Sequence, residues 1–140
     1  MKATQLLFFA LVILGLQGCP LDDDEPDAIL TLNNSSDKSI VFYKEYKQPA
    51  DTSIATIAFP LTGENTVERT VAPNSFAEIL GPYKSLFQQL PDRVLMIYIF
   101  SKDTINQVPW QEIVDRNLLL RRFELTEQDL DRLDWQVDYP

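Results

Sequence analysis

Histidine is absent from the chain, cysteine occurs once, and there are only four glycines in 140 residues. Without histidine there is no Ser-His-Asp triad, no Cys-His pair and no imidazole general base. One thiol cannot form an internal disulfide, and it cannot supply the ligand set of a zinc site. The only glycines beyond the first twenty residues are Gly63 and Gly81, so a glycine-rich phosphate loop is excluded. We therefore expect no metal, no cofactor and no enzymatic activity.

Acidic residues outnumber basic ones by 21 to 12, which gives a formal net charge of −9. Nucleic-acid binding needs a basic surface that neutralises phosphates, and this composition provides none. Carboxylates, lysines and tyrosines are the only side chains left for acid–base chemistry. We expect no nucleic-acid partner.

The chain begins with Met1-Lys2, continues with an apolar run over residues 6–16, and then reads Leu16-Gln17-Gly18-Cys19. This order is typical of a secretory signal, and 11 apolar residues are too few for a membrane span, which needs about 20. Leu-x-Gly-Cys resembles the lipobox of bacterial lipoproteins. The resemblance implies a signal peptide over residues 1–18, cleavage before Cys19 and attachment of lipid to the Cys19 sulfur. An ordinary signal followed by an unrelated cysteine is the alternative.

An acidic segment follows the cysteine. Residues 19–27 are expected to form a solvated tether between the lipid and the domain, because a charged segment that contains proline cannot be buried. The patch resembles the export signal of Bacteroidota surface lipoproteins, which implies a lipid-anchored position in the outer membrane, facing the cell surface. The periplasmic face is the alternative location, and a loose calcium site is a third interpretation that lacks a turn glycine. The acidic patch consists of Asp22, Asp23, Asp24 and Glu25.

Removal of the signal leaves 122 of the 140 residues, with 21 acids against 11 bases and so a net charge of −10. This length suits a single domain over residues 28–140. Residues 28–33 and 39–43 are β-branched and aromatic runs around a polar turn, which predicts a hairpin. Residues 53–59 also suit a strand. Seven apolar residues at positions 94–100 predict a central strand buried on both faces.

Helical signals are short. Apolar residues recur at the spacing of one helix face in residues 83–90, and Pro109 opens another short helix. Thr126 followed by Asp129 predicts a capped helix whose buried face contains Leu130 and Leu133. Residues 101–103 are expected to form a turn. The fold prediction is therefore mostly β: an antiparallel, β-sandwich-like single domain with two or three short helices, with α+β as the minority interpretation.

From Trp110 to Pro140 the chain is similar to a group of small Bacteroidota lipoproteins of uncharacterised function. The resemblance implies lipoprotein status and supplies no catalytic residues. The similar positions are Trp110, Glu112, Ile113, Leu120, Arg122, Phe123, Leu125, Thr126, Asp129, Leu130, Leu133, Trp135, Tyr139 and Pro140, and the segment from Asn33 to Tyr43 is also similar.

Three functions follow as hypotheses. The first is a non-catalytic binding or structural accessory of the outer membrane, attached through the lipid on Cys19 and acting on another envelope protein. The second is a glycan-binding module in which Trp110 and Trp135 stack on sugars, although core packing is the commoner role of tryptophan. The third is a small hydrolase with paired carboxylates drawn from the acid-rich residues 124–134. Separately, Asp103-Thr104-Ile105 resembles an acceptor motif for O-glycosylation at Thr104 in exported Bacteroidota proteins.

Overall fold

The computed structural model describes residues 26–51, 53–57, 60–63, 66 and 69–140. These residues form seven strands, four short α-helices and one turn of 3₁₀ helix. In chain order they are β1 (Ala28–Asn34), β2 (Ile40–Lys47), the 3₁₀ helix (Ile54–Thr56), β3 (Thr70–Val71), β4 (Ser75–Gly81), α1 (Tyr83–Gln89), β5 (Val94–Ser101), α2 (Lys102–Gln107), α3 (Trp110–Asp115), β6 (Arg121–Leu125), α4 (Glu127–Arg132) and β7 (Gln136–Tyr139).

The strands form two open sheets, which we call sheet A and sheet B. Sheet A has the order β4-β1-β7 and sheet B the order β3-β2-β5-β6. All neighbouring strands are antiparallel except β1 and β7, which run parallel. The prediction of a mostly β single domain with two sheets and short helices is confirmed, and the final strand, β7, pairs with the first strand, β1.

The main core lies between the two sheets. Each strand directs alternate side chains into this core because successive side chains of a strand point to opposite faces. Sheet A contributes Leu30, Leu32, Ile79 and Val137, and sheet B contributes Ile40, Phe42, Leu95, Ile97 and Ile99.

A second core covers the opposite face of sheet B. The residues of β5 that point away from sheet A, such as Met96, Tyr98 and Phe100, pack with the 3₁₀ helix, α2 and α3. Strand β5 is therefore buried on both faces and lies inside its sheet, as its unbroken apolar sequence predicts. The result is three layers: sheet A, sheet B and a layer of short helices.

The predicted hairpin between residues 28–33 and 39–43 is wrong, because β1 and β2 belong to different sheets. The polar segment between them crosses the sandwich. Asn34 holds this crossing: its buried amide donates to the carbonyls of Lys38 at 2.8 Å and Ala72 at 2.9 Å. The polar residues between β1 and β2 predict a turn, but turn residues alone do not determine whether the next strand joins the same sheet.

Three local predictions also differ from the structure. Residues 54–56 form a 3₁₀ helix where a strand was expected, since the Ser53 side chain accepts from the N–H of Ala55. Residues 102–107 form a helix where a turn was expected at 101–103, because Ser101 acts as its N-cap. Leu133, expected to be buried, is 44% exposed because it lies at the C-cap of α4.

Candidate binding surface

The outer face of sheet A is the face that points away from sheet B. Its side chains follow from the inward alternation, since Leu30, Leu32 and Val137 turn inward and their neighbours must turn outward. The outer face consists of Ile29, Thr31 and Asn33 from β1, Phe76, Glu78 and Leu80 from β4, and Gln136 and Asp138 from β7.

Large apolar side chains on this face are exposed to solvent. Ile29 is 48% exposed, and Phe76 and Leu80 are each 61% exposed. Ile29 and Leu80 are direct cross-strand partners, and Phe76 lies four residues from Leu80 along the same face of β4. Single exposed apolar residues are ordinary, but three on one sheet face are typical of an interaction site.

The side chains that β4 exposes to solvent are larger than those that it directs toward the core. Ala77, Ile79 and Gly81 point inward, while Phe76 and Leu80 point outward with Glu78 between them. Gly81 must be small, because a Cβ there would lie 2.9 Å from the ring of Tyr83. The signal for this orientation in the sequence is Glu78, since a carboxylate in the same alternating set favours solvent for the whole set.

The far end of the outer face is polar. The Asn33 amide donates to the Asp138 carboxylate at 2.7 Å, across the parallel β1–β7 pair. Beside this bond lies a shallow depression of about 370 Å³, which also includes Asn74, Ser75 and Phe76. The face therefore has an apolar end at Ile29 and Leu80, and its other end combines the Phe76 ring with the hydrogen-bonding groups of Asn33 and Asp138.

One edge of β4 is reached by a lysine that has no carboxylate partner among the described residues. The Lys44 ammonium donates to the Tyr83 hydroxyl at 2.8 Å and to the Leu80 carbonyl at 3.4 Å. The Tyr83 hydroxyl in turn donates to the Ile79 carbonyl at 3.0 Å. Burial, together with the positive charge of Arg69, lowers the pKa of Lys44. This arrangement holds the C-terminal end of β4 against α1.

The end of the tether is fixed to the domain by Asp27. Its carboxylate accepts from the N–H groups of Lys84 at 2.9 Å and Ser85 at 2.6 Å, and from the Ser85 hydroxyl at 2.7 Å. Helix α1 has no side-chain cap of its own at Pro82, so Asp27 satisfies free N–H groups of its first turn from 57 residues away. Partial burial acts to raise the pKa of Asp27, but these hydrogen bonds and the Lys84 charge outweigh it and lower the pKa.

A second depression lies on the helical side of the molecule. It has a volume of about 560 Å³ between the 3₁₀ helix and the segment joining α3 to β6, and its lining includes Ser53, Asn117, Arg121 and Arg122. The Arg121 guanidinium lies 4.8 Å from the ring centre of Phe123. Arginine held over an aromatic ring is a common way to order an exposed cation.

The two tryptophans are not brought together. Trp135 packs on the main core and its ring centre lies 5.7 Å from that of Tyr83, while Trp110 packs on the second core at 5.7 Å from Phe100. They lie on opposite sides of sheet B and are each half-buried, so they do not form a shared sugar platform. Among the residues that the structure describes, the exposed aromatic ring is that of Phe76, which the sequence analysis does not single out.

Two carboxylates of the acid-rich residues 124–134, Asp129 and Asp131, have structural partners. Asp129 completes the predicted capping box of α4 with Thr126, and Asp131 accepts from the Trp135 indole at 3.0 Å. The hydrogen bonds from Thr126 lower the pKa of Asp129. Neither of the depressions described above contains two carboxylates. Within the described residues no three acidic or sulfur ligands are grouped for a metal.

The other predicted sites lie partly outside the described residues. Cys19 and the acidic patch at Asp22, Asp23, Asp24 and Glu25 fall among residues 1–25, which are not described. Thr104 lies half-buried in the first turn of α2, not on a turn, and its N–H faces the capping Ser101 side chain at 3.4 Å. O-glycosylation there stays a prediction.

None of the helices in the described part of the chain has the length and apolar character to cross a bilayer. Comparison with protein-family models, with curated proteins and with solved structures finds no match for this chain.

Proposed function

We propose that this chain is a lipid-anchored, non-catalytic accessory of the bacterial outer membrane that binds another envelope protein through the outer face of sheet A. The observation that carries the binding proposal is the exposure of Ile29, Phe76 and Leu80 on one sheet face. The anchor proposal rests on the lipobox-like residues that end at Cys19. Asp27 connects the anchor proposal with the binding proposal, because its hydrogen bonds to α1 fix the point at which the tether enters the domain.

A protein partner accounts for this face better than a glycan does. Glycan recognition uses aromatic platforms with several surrounding polar groups, whereas two of the three exposed apolar side chains here are aliphatic and pair directly across strands. Stable protein interfaces place apolar side chains at the centre of the patch and polar ones at its rim. On this face Gln136 and Asp138 form a polar border along β7, and Thr31 and Glu78 lie between the apolar residues at its two ends.

Site-specific photo-crosslinking in a Bacteroidota host tests the binding face. A photoreactive residue at Glu78 lies inside the face, and one at Gln111 on the exposed side of α3 is the matched control. We expect a crosslink to one envelope protein from position 78 only, and its loss in a Phe76→Ser, Leu80→Ser double variant. Leu120→Ser with Leu133→Ser removes similar exposed apolar groups elsewhere and should keep the crosslink. Equal crosslinking from both positions would refute the proposal.

Mass spectrometry of the protein purified from its own membranes tests the anchor. We expect a mature chain that begins at an acylated Cys19. Protease treatment of intact cells then separates the cell surface from the periplasmic face, because only a surface domain is cleaved. A free thiol at Cys19, or cleavage elsewhere, would remove the basis for the membrane location.

A further inference from the structure

Four strand edges border the two sheets, and three of them are poorly suited to pairing with another strand. Strand β3 has two residues, β7 has four and is followed by Pro140, and β6 carries Arg121 and Arg122. Short length, charge and proline are the usual means by which proteins protect sheet edges. Strand β4 has seven residues and contains neither proline nor a basic residue. Among the described strands it is the edge best able to accept a partner.

The direction of the backbone groups of β4 follows from its neighbours. The N–H groups of Thr31 and Ser35 donate to the β7 side, to Trp135 at 2.9 Å and Tyr139 at 2.8 Å. Odd-numbered residues of β1 therefore face β7 and even-numbered ones face β4. Since Leu30 is opposite Ile79, the backbone N–H and C=O of residues 76, 78 and 80 point away from β1, toward the open edge.

These open groups belong to the same residues that display the exposed side chains. Lys44 reaches the carbonyl of Leu80, but no described residue hydrogen-bonds the backbone of Phe76 or Glu78 at this edge. A strand that paired here would place alternate side chains beside Phe76, Glu78 and Leu80. Backbone bonds would give affinity, and the side-chain sequence apolar, acidic, apolar would give specificity.

A second copy of this chain fits the edge poorly. Antiparallel pairing that puts Phe76 against Leu80 of another copy also puts Glu78 directly opposite Glu78, and like charges at directly opposed positions are destabilising. The mature chain would carry a net charge of −10, which adds repulsion between copies. The complementary strand has an apolar residue, then a basic one, then an apolar one, at alternate positions.

We propose that the partner protein adds an extended segment with this alternating apolar-basic-apolar pattern to the open edge of β4. The inference rests on the proposed function and specifies how the outer face is used. Lys44 donates to the Leu80 carbonyl and helix α1 begins at Tyr83, so the segment lies against residues 76–80 and ends at Leu80.

Selection of a displayed library of random nine-residue peptides on the purified domain tests this inference. We expect recovered peptides to carry the alternating pattern with lysine or arginine at the central position. A synthetic peptide of the recovered sequence should lose at least about tenfold in affinity when the backbone nitrogens that face β4 are methylated, because methylation removes the donors and keeps the side chains. Amide exchange at Phe76 and Glu78 should slow in the complex.

Charge exchange supplies the matched control. Glu78→Lys should weaken the basic peptide about tenfold, and a peptide with glutamate at its central position should regain that loss. Absence of enrichment, equal binding by the methylated peptide, or self-association of the domain through β4 would each overturn the inference. If the crosslinked envelope protein leaves exchange at Phe76 and Glu78 unchanged, strand addition is refuted while the proposed binding face stands.

Discussion

Replacement of Asp27 by alanine should destabilise the domain although the residue is exposed and precedes the first strand. Its carboxylate accepts three hydrogen bonds from the first turn of α1, two of them from the backbone N–H groups of Lys84 and Ser85. Alanine leaves those groups to water and releases the start of the domain from the helix. Asp92, an exposed carboxylate with no hydrogen bond to any residue that the structure describes, is the matched control as Asp92→Asn.

The expected size of the effect follows from the capping geometry. Loss of an N-cap side chain typically costs about 0.5–2 kcal/mol, and exposure to solvent favours the lower half of that range, so we expect about 1 kcal/mol for Asp27→Ala. Asp27→Asn should cost about half as much, because the amide keeps one acceptor oxygen and its NH₂ group cannot accept. For a domain of this size, 1 kcal/mol lowers Tm by about 4 °C.

The pH dependence has a definite sign. The pKa of Asp27 is lowered in the folded protein, so its contribution to stability is present above the ordinary value of 3.8 and is lost as pH falls through the folded pKa. Urea unfolding, followed by tryptophan fluorescence, should therefore show the difference between wild type and Asp27→Ala at about pH 7 and a smaller one at about pH 2.5. A difference that persists unchanged at low pH, or an Asp27→Ala variant as stable as Asp92→Asn, would refute the capping role.

Three further pairs of variants test the interior and the caps by urea unfolding. Tyr46→Phe should leave the free energy of unfolding unchanged or raise it by up to about 1 kcal/mol, because the Tyr46 hydroxyl is buried without a partner among the described residues. Tyr83→Phe should lower the free energy of unfolding by about 1–2 kcal/mol, because the hydrogen bonds of the Tyr83 hydroxyl are lost. A Tyr46→Phe variant less stable than Tyr83→Phe would contradict this reasoning. Thr126→Ala should cost about 1 kcal/mol and Thr126→Ser almost nothing, since serine retains the capping oxygen, and equal losses would argue against the cap. Gly81→Ala should cost about 1–3 kcal/mol, because the new methyl meets an aromatic ring, while Gly63→Ala meets only the end of an exposed side chain and should stay within about 0.5 kcal/mol.

Much of the secondary structure follows from local signals. The unbroken apolar run of β5 could be predicted as a central strand because only burial on both faces tolerates it. The capping box of α4 was identified because Thr126 and Asp129 interact within one turn. In both cases, neighbours in sequence determine the structure.

The pairing of strands could not be predicted in the same way. Strand β1 pairs with β4 and β7, and both contacts join segments that are far apart in the chain. Both alternating sets of β4 contain apolar residues, so Glu78 is the one local signal that Phe76 and Leu80 face solvent. The role of Asp27 was missed for a similar reason: in sequence it ends an acidic run, and only the fold brings it to the helix that it caps.

The proposed anchor and the outer face set one further expectation. Cys19 and Asp27 are eight residues apart, which limits the distance between lipid and domain to about 29 Å. Ile29, at one end of the outer face, lies two residues beyond this fixed point, so a lipid on Cys19 would hold the face near the membrane surface. Insertion of a 16-residue Gly-Ser segment between Glu25 and Pro26 leaves Asp27 in place but triples the tether.

Lengthening the tether should lower crosslinking from Glu78 in cells by about fivefold, because the effective concentration at a membrane-fixed partner falls roughly as the −3/2 power of tether length. Binding of the isolated domain to the selected peptide should not change, since the insertion leaves β4 untouched. The comparison separates the two functions that we propose for the N-terminal segment, attachment and positioning. If crosslinking in cells were equal for both tether lengths, the partner would not be confined near the membrane. The short tether would then make no contribution to partner binding.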